Sequence, residues 1–223
     1  MTYKDIHKKY MIEYDKENVT SSYPSLTTYE IATILDKAYL ALIAQKLTGN
    51  QQRVPFEGDI KAIEDVRNLI ASKKISKSNT TLPIDNAVIY KLSDILYFLT
   101  ALVLIDGKLV TTNLVNHEIA KNFMHTATNR PWIKNSVCYI EGDNLIVLYD
   151  DYSHKNVGDL QLTYIKYPDK FVDHINGKTF DDTQFALNDT MVEELISLAI
   201  IMSLETVESP RLQTKLNTKA LES

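Results

Sequence analysis

The sequence predicts an α+β protein. Two N-terminal helices and one C-terminal helix form an antiparallel helical bundle, into which a small antiparallel β domain of hairpins is inserted. Three observations carry this prediction. Apolar residues recur at helical spacing in two distant stretches, one around Ile31 to Leu47 and one around Met191 to Leu204. Between them, short apolar runs are punctuated by turn dipeptides such as Asp106-Gly107. Beyond Pro210 the chain turns polar and reads as an extended C-terminal arm. The division that follows is an N-terminal segment 1–25, a bundle from 26–74 and 186–209, a hairpin subdomain 82–170 and an arm 210–223.

Taken in order, Tyr3 to Glu17 predicts a short helix with Tyr3, Ile6, Tyr10 and Tyr14 on one face. A polar connection ends at Pro24. Thr27 or Thr28 then caps a long helix from about Tyr29 to Leu47, with Ile31, Ile34, Leu35, Ala38 and Leu42 as its inner stripe. Tyr39, Leu40 and Ile43 make its second half apolar nearly all round, the mark of a central helix. Gly49-Asn50 ends it, since both residues tolerate the left-handed conformation. A second bundle helix is expected from about Asp59 to Lys73, with Ile60, Ile63, Val66 and Ile70 on one side. Acids precede it and Lys73 and Lys74 follow, the order the helix dipole favours. The polar stretch Lys73 to Thr81 is the expected boundary between helical and β parts.

Ala87 to Lys91 predicts a strand. Ile95 to Ile105 is ambiguous by period alone, but the Asp106-Gly107 that follows decides for a hairpin with Lys108 to Val115. Asn116 to His125 reads as a short helix packing through Ile119, Phe123 and Met124. Val137 to Ile140 and Leu145 to Tyr149 flank the turn EGDN. A further strand places Leu160, Leu162 and Tyr164 on one face and stops at Pro168, which has no amide hydrogen for a ladder. Phe171 to Gln184 is expected to be a loop. In the last helix Thr190 and Glu193 form a capping box. Met191, Leu195, Leu198 and Met202 make one apolar stripe, and Val192, Ile196, Ala199 and Ile200 another. Such a helix is enclosed, by its own domain or by neighbouring subunits. Its apolar run is broken by Ser197 and Ser203 and falls short of the ~20 residues a bilayer requires.

Composition excludes several function classes. Hydrophobic content of 44% and charged content of 24% suit an ordinary globular protein, and the first residues hold no run like a signal peptide. A lone cysteine, Cys138, cannot form an internal disulfide and reads as a buried thiol; synthesis in a reducing cytoplasm is expected. A net charge of −5 argues against wrapping nucleic acid, though not against a surface that DNA merely passes. All six glycines stand apart, which rules out a glycine-rich phosphate loop. His117-Glu118 opens like a zinc-protease motif, but Lys121 occupies the second histidine's place. Asp150, Asp151 and His154 can be read as a cation site of a metal-dependent hydrolase, or more simply as a solvated turn; Asp181-Asp182 reads as a turn too. A monomeric module that binds peptides at a sheet edge is a third reading. The arm is either a frayed terminus or a segment that folds onto a partner. In the second case Pro210, Arg211, Leu212, Gln213 and Leu216 form its interface, Leu212 and Leu216 as apolar anchors and Arg211 as the polar one.

The segments LTYIKYPDKF (Leu162 to Phe171) and LNDTMVEELISLA, continuing through Leu204-Glu205 to SPRLQ at Gln213, resemble the C-terminal half of head-to-tail connector proteins of tailed phages. These are also called adaptor or ring proteins, and the likeness is closest to those of crAss-like phages. The hairpin CYIEGDNLIVLY and the N-terminal helix pair fit the same layout. The matching residues pack and cap; none carries chemistry. The resemblance implies a non-enzymatic virion neck protein without cofactor or membrane contact, made in the host bacterial cytoplasm. Copies would form a ring, twelvefold by analogy, docked to the portal protein above and to a tail or further ring protein below. DNA would pass through the lumen without sequence recognition.

Overall fold

The computed structural model describes residues 1–16, 26–48, 60–78, 86–123, 136–149, 156–206 and 216. The chain divides into two compact units, one of Met1–Asn68 with Pro168–Ser223 and one of Leu69–Tyr167.

The first unit is helical. Helix α1 (Tyr3–Lys16) opens on a reciprocal cap, with the Asp5 amide donating to Thr2 Oγ1 and the Thr2 amide to Asp5 Oδ2. Its face of Tyr3, Ile6, Tyr10 and Tyr14 is fully buried, as the spacing predicts. Helix α2 (Thr28–Thr48) opens the same way: the Glu30 amide donates to Thr27 Oγ1, and the Thr27 amide to Glu30 Oε2 at 2.7 Å. Helix α5 (Asp189–Thr206) packs on both. Its cap differs from expectation. Asn188 Oδ1 accepts from the Met191 amide at 2.8 Å, so the helix starts two residues before the predicted Thr190 cap. Glu193 and Glu194 are thereby free to pair outward, Glu193 with Lys9 on α1 and Glu194 with Lys46 on α2. Lys46 also meets Asp65 at 3.3 Å, which ties in the short helix α3 (Ile60–Val66).

The predicted second bundle helix does not exist as such. After α3 come one 3-10 turn (Arg67–Leu69) and then a strand, β1 (Ile70–Ile75). Ala71, Lys73 and Lys74 are good helix formers, but β7 (Val157–Lys166) supplies a ladder from Ile70↔Ile165 to Ile75↔Leu160. Tertiary pairing outweighs local preference here.

The second unit corrects the predicted fold class. It is no small insertion of hairpins in a helical bundle but a single seven-stranded mixed sheet, curled into a half-barrel, and it dominates the architecture. Besides β1 and β7 it contains β2 (Ala87–Lys91), β3 (Ile95–Ile105), β4 (Lys108–Leu114), β5 (Ser136–Glu141) and β6 (Asn144–Leu148). The strand order is β1-β7-β3-β4-β5-β6-β2. All neighbours are antiparallel except β4 and β5, and helix α4 (His117–Phe123) lies in the connection between that pair. This one parallel pair fuses what the sequence presents as separate hairpins into one sheet. The predicted β3–β4 hairpin is present: Asp106 and Gly107 both take positive φ, 47° and 77°, as a two-residue turn of this kind requires.

Curling brings the sheet's two edges onto one core. Ile75 of β1 and Tyr90 of β2 share a buried cluster with Val103, Cys138, Leu145, Leu160 and Leu162. Tyr90 donates its hydroxyl proton to the Gly158 carbonyl of β7 at 2.6 Å, bridging the edge strand β2 to the strand next to the opposite edge. A second cluster on the outer side of β5 and β6 holds Ile89, Tyr139, Ile146 and Leu148 under Ala120 of α4. The predicted anchor Ile119 is exposed instead, while Ala120 meets the sheet; the side chains of the other expected anchors, Phe123 and Met124, lie outside the described residues.

Candidate functional site

The densest group of chemistry-bearing side chains lies in a segment read from sequence as a loop. Phe171–His174 forms a 3-10 turn, followed by a tiny hairpin of β8 (Ile175–Asn176) and β9 (Thr179–Phe180). The Asp36 carboxylate of α2 accepts from the Phe171 amide at 2.6 Å, satisfying a donor that the turn leaves open. Burial raises the Asp36 pKa above the usual carboxylate range, and these amide bonds only partly oppose the shift. His174 Nδ1 lies 2.9 Å from Asp181 Oδ2 across the hairpin, and Asp181 Oδ1 accepts from the Thr183 amide at 3.0 Å. The His174 bond, aided by the Thr183 amide, holds the Asp181 carboxyl below its ordinary pKa.

Tyr3 stacks on the His174 ring with centroids 3.8 Å apart, while Phe171 and Phe185 meet Tyr3 edge-on. His7 leans on Phe180. The Tyr3 amide donates to the Thr183 carbonyl and the Lys4 amide to the Asp181 carbonyl. The histidine–aspartate pair has the geometry that orients an imidazole in hydrolytic enzymes. Here the ring is spent on a stack with Tyr3, and no serine, threonine or cysteine side chain among the described residues bonds to it. The arrangement fastens the start of α1 to the hairpin.

Asp181 therefore does more than stand in a turn: its carboxylate, still part-exposed, is paired with His174. Asn176-Gly177 marks a turn in the sequence, but as the two central residues of a hairpin it would pair 175 with 178; the turn is instead Gly177-Lys178, which brings positions 174 and 181 face to face. Asp182 does lie at the surface, paired with Lys4 at 3.1 Å.

Of the interface residues expected in the arm, only Leu216 lies among the described residues, and its side chain is 42% exposed. Pro210, Arg211, Leu212 and Gln213 fall outside them, as do Asp150, Asp151 and His154. Among the described residues no group of three or more His, Cys, Asp and Glu is placed to hold a metal ion. His117 stands at the start of α4, edge-on to Tyr139, with Nε2 3.7 Å from Glu141 Oε1 at the surface. Cys138 lies in the half-barrel core, where burial pushes its thiol up to about 12, far from a reactive thiolate.

Apolar surface is left open on each unit. On the first, Ile12, Tyr29 and Leu40 are exposed, Tyr29 to 62%. Leu195, Ile196, Ala199 and Ile200 of α5 are sealed by the unit itself, whereas Leu198 and Met202 stay partly open. On the second, Leu104 and Leu109 are cross-strand neighbours on the outer face of β3 and β4, and Leu109 is 58% exposed. Single exposed leucines are ordinary, but neighbouring ones on a sheet face suit contact with another protein. No protein-family model matches the sequence, and no curated protein does. No helix among the described residues is long and apolar enough to cross a membrane.

Proposed function

We propose that this chain is a non-enzymatic structural subunit of a tailed-phage virion neck. Copies assemble into a ring between the portal and the tail, and DNA passes through the lumen. The observation that carries the reading is the sequence likeness over Leu162 to Pro168 and Leu187 to Gln213. The open apolar surface supports it: Leu198 and Met202 on α5, Tyr29 and Leu40 on α2, and Leu104 beside Leu109 are the kind of residues that lateral subunit contacts cover. The acidic balance supports a channel that does not grip DNA. The arm from Pro210, with Arg211, Leu212, Gln213 and Leu216, docks to the portal: Leu212 and Leu216 enter apolar pockets, and Arg211 pairs with a carboxylate.

The test is to mix the purified chain with its portal protein and weigh the products by native mass spectrometry. A multimeric ring on the portal is expected. Removing Arg211 to Ser223 should abolish docking and leave the melting of the isolated chain unchanged. A chain that stays monomeric beside the portal would overturn the assignment. Normal docking of the truncated chain would move the contact to the sheet.

A further inference from the structure

The β8–β9 hairpin carries a chemical liability unrelated to assembly. Asn176-Gly177 is the only Asn-Gly pair in the sequence. Gly177 takes the first of the two turn positions with φ of 64°, a place that favours glycine. Ladder pairing in this hairpin runs through Asn176↔Thr179 and Ile175↔Phe180, so the Gly177 amide lies outside it. Residues 176 to 178 are exposed, and a Cβ built on Gly177 would meet nothing within 4 Å. Two ladder rungs lie next to the turn, and the further ties, the Asp181 amide on the His174 carbonyl at 3.0 Å and the His174–Asp181 pair, sit at the far end of the hairpin, so the turn itself opens locally at small cost. Two other asparagines among the described residues are restrained: Asn68 Nδ2 donates to the Ala186 carbonyl, and Asn188 Oδ1 caps α5.

We propose that Asn176 is a site of spontaneous deamidation that loosens the seat of α1 as the protein ages. The Gly177 backbone nitrogen attacks the side-chain carbonyl carbon of Asn176. A new C–N bond closes the succinimide ring, the bond to the side-chain amide nitrogen breaks, and ammonia leaves with the proton from Gly177. Water then opens the ring at either carbonyl. One opening gives aspartate. The other gives isoaspartate, in which the main chain runs through the side-chain methylene and is one carbon longer. That extra carbon cannot fit the Asn176↔Thr179 rung. The hairpin it disturbs carries Phe180, packed on His7 and Phe171, and leads directly into Asp181, which binds His174.

The experiment is to hold the folded chain in mildly alkaline buffer made with heavy-oxygen water and to follow its tryptic peptides over weeks. The peptide Phe171–Lys178 contains Asn176 as its only asparagine. It should gain the label first, accept a methyl group from isoaspartyl methyltransferase, and do neither in Asn176→Gln, whose ring closure is far slower. Aged protein should melt below fresh protein, while Asn176→Asp, with its regular backbone, should melt close to it. An unlabelled Phe171–Lys178 peptide beside labelled asparagines elsewhere would overturn the site. Equal melting of aged and fresh chains, once the peptide is converted, would overturn the loosening of α1.

Discussion

On the proposed ring, helix α5 serves folding through one face and assembly through another, and two leucines one turn apart read the difference. Leu195 is 0% exposed on a helix that packs on α1 and α2, whereas Leu198 is partly open on the same helix. Truncating Leu195 to alanine removes buried methyl groups and leaves a cavity, at a cost of about 3–5 kcal/mol. At Leu198 the lost burial is partial and water fills the gap, so the cost falls to about 1 kcal/mol. At about 2–4 °C per kcal/mol for a chain of this size, Leu195→Ala lowers the melting temperature by roughly 6–20 °C and Leu198→Ala by roughly 2–4 °C. Aspartate widens the split. Leu195→Asp sets an unpartnered carboxylate in the core, a penalty comparable with a domain's whole stability of about 5–15 kcal/mol. Leu198→Asp keeps its charge largely in water; the chain should fold and, on the proposed assembly, fail to form rings. Urea unfolding followed by circular dichroism, with size-exclusion chromatography beside the portal, distinguishes the two. A soluble, cooperatively folded Leu195→Asp chain would refute the placement of the α5 core. So would a Leu198→Ala cost equal to that of Leu195→Ala.

Other outcomes follow from single contacts. Asp181 has a folded pKa below its unfolded value, so its contribution to stability is present at neutral pH and lost as pH falls through the folded value; below about pH 4 the advantage of native chain over Asp181→Asn should fade, as melting across an acid series would record. Asp36 has the opposite sign: its folded pKa is raised, so its ionisation opposes folding at neutral pH, and Asp36→Asn, which keeps an acceptor for Phe171, should melt at or above the native temperature near pH 7. Tyr90→Phe strips the Gly158 carbonyl of its 2.6 Å partner and should destabilise the sheet unit by about 1 kcal/mol in denaturant titration. The Cys138 thiol should resist alkylating reagents in the folded chain and react at a rate set by opening of the half-barrel; rapid labelling under native conditions would place it elsewhere.

Most single elements were legible in the sequence because their signals are local. The tyrosine spacing of α1, the Thr27–Glu30 cap of α2 and the Asp106-Gly107 turn each act within a few residues. What escaped was settled at a distance. Ile70–Ile75 becomes a strand only because β7, some ninety residues further along, offers it an edge. The parallel β4–β5 pair depends on the path of the chain through α4, and no local pattern records that path. The His174–Asp181 contact was not legible: its segment reads as a loop, Asn176-Gly177 marks a turn without fixing the register, and the ring that stacks on His174 comes from Tyr3. The Asn188 cap shows the limit of a motif match, since Thr190 and Glu193 have the right spacing and the helix begins before them.

The Ile70↔Ile165 pairing has a modular consequence. Antiparallel partners stand about 5 Å apart, so the sheet unit leaves and rejoins the polypeptide at nearly one point, although about a hundred residues separate the two junctions. To the discontinuous helical unit, this whole stretch is topologically equivalent to a tight turn between Asn68 and Pro168. The same closeness predicts that Leu69–Tyr167 folds when expressed alone and that a few glycines and serines suffice to close the remainder, which cooperative urea unfolding of each piece would record.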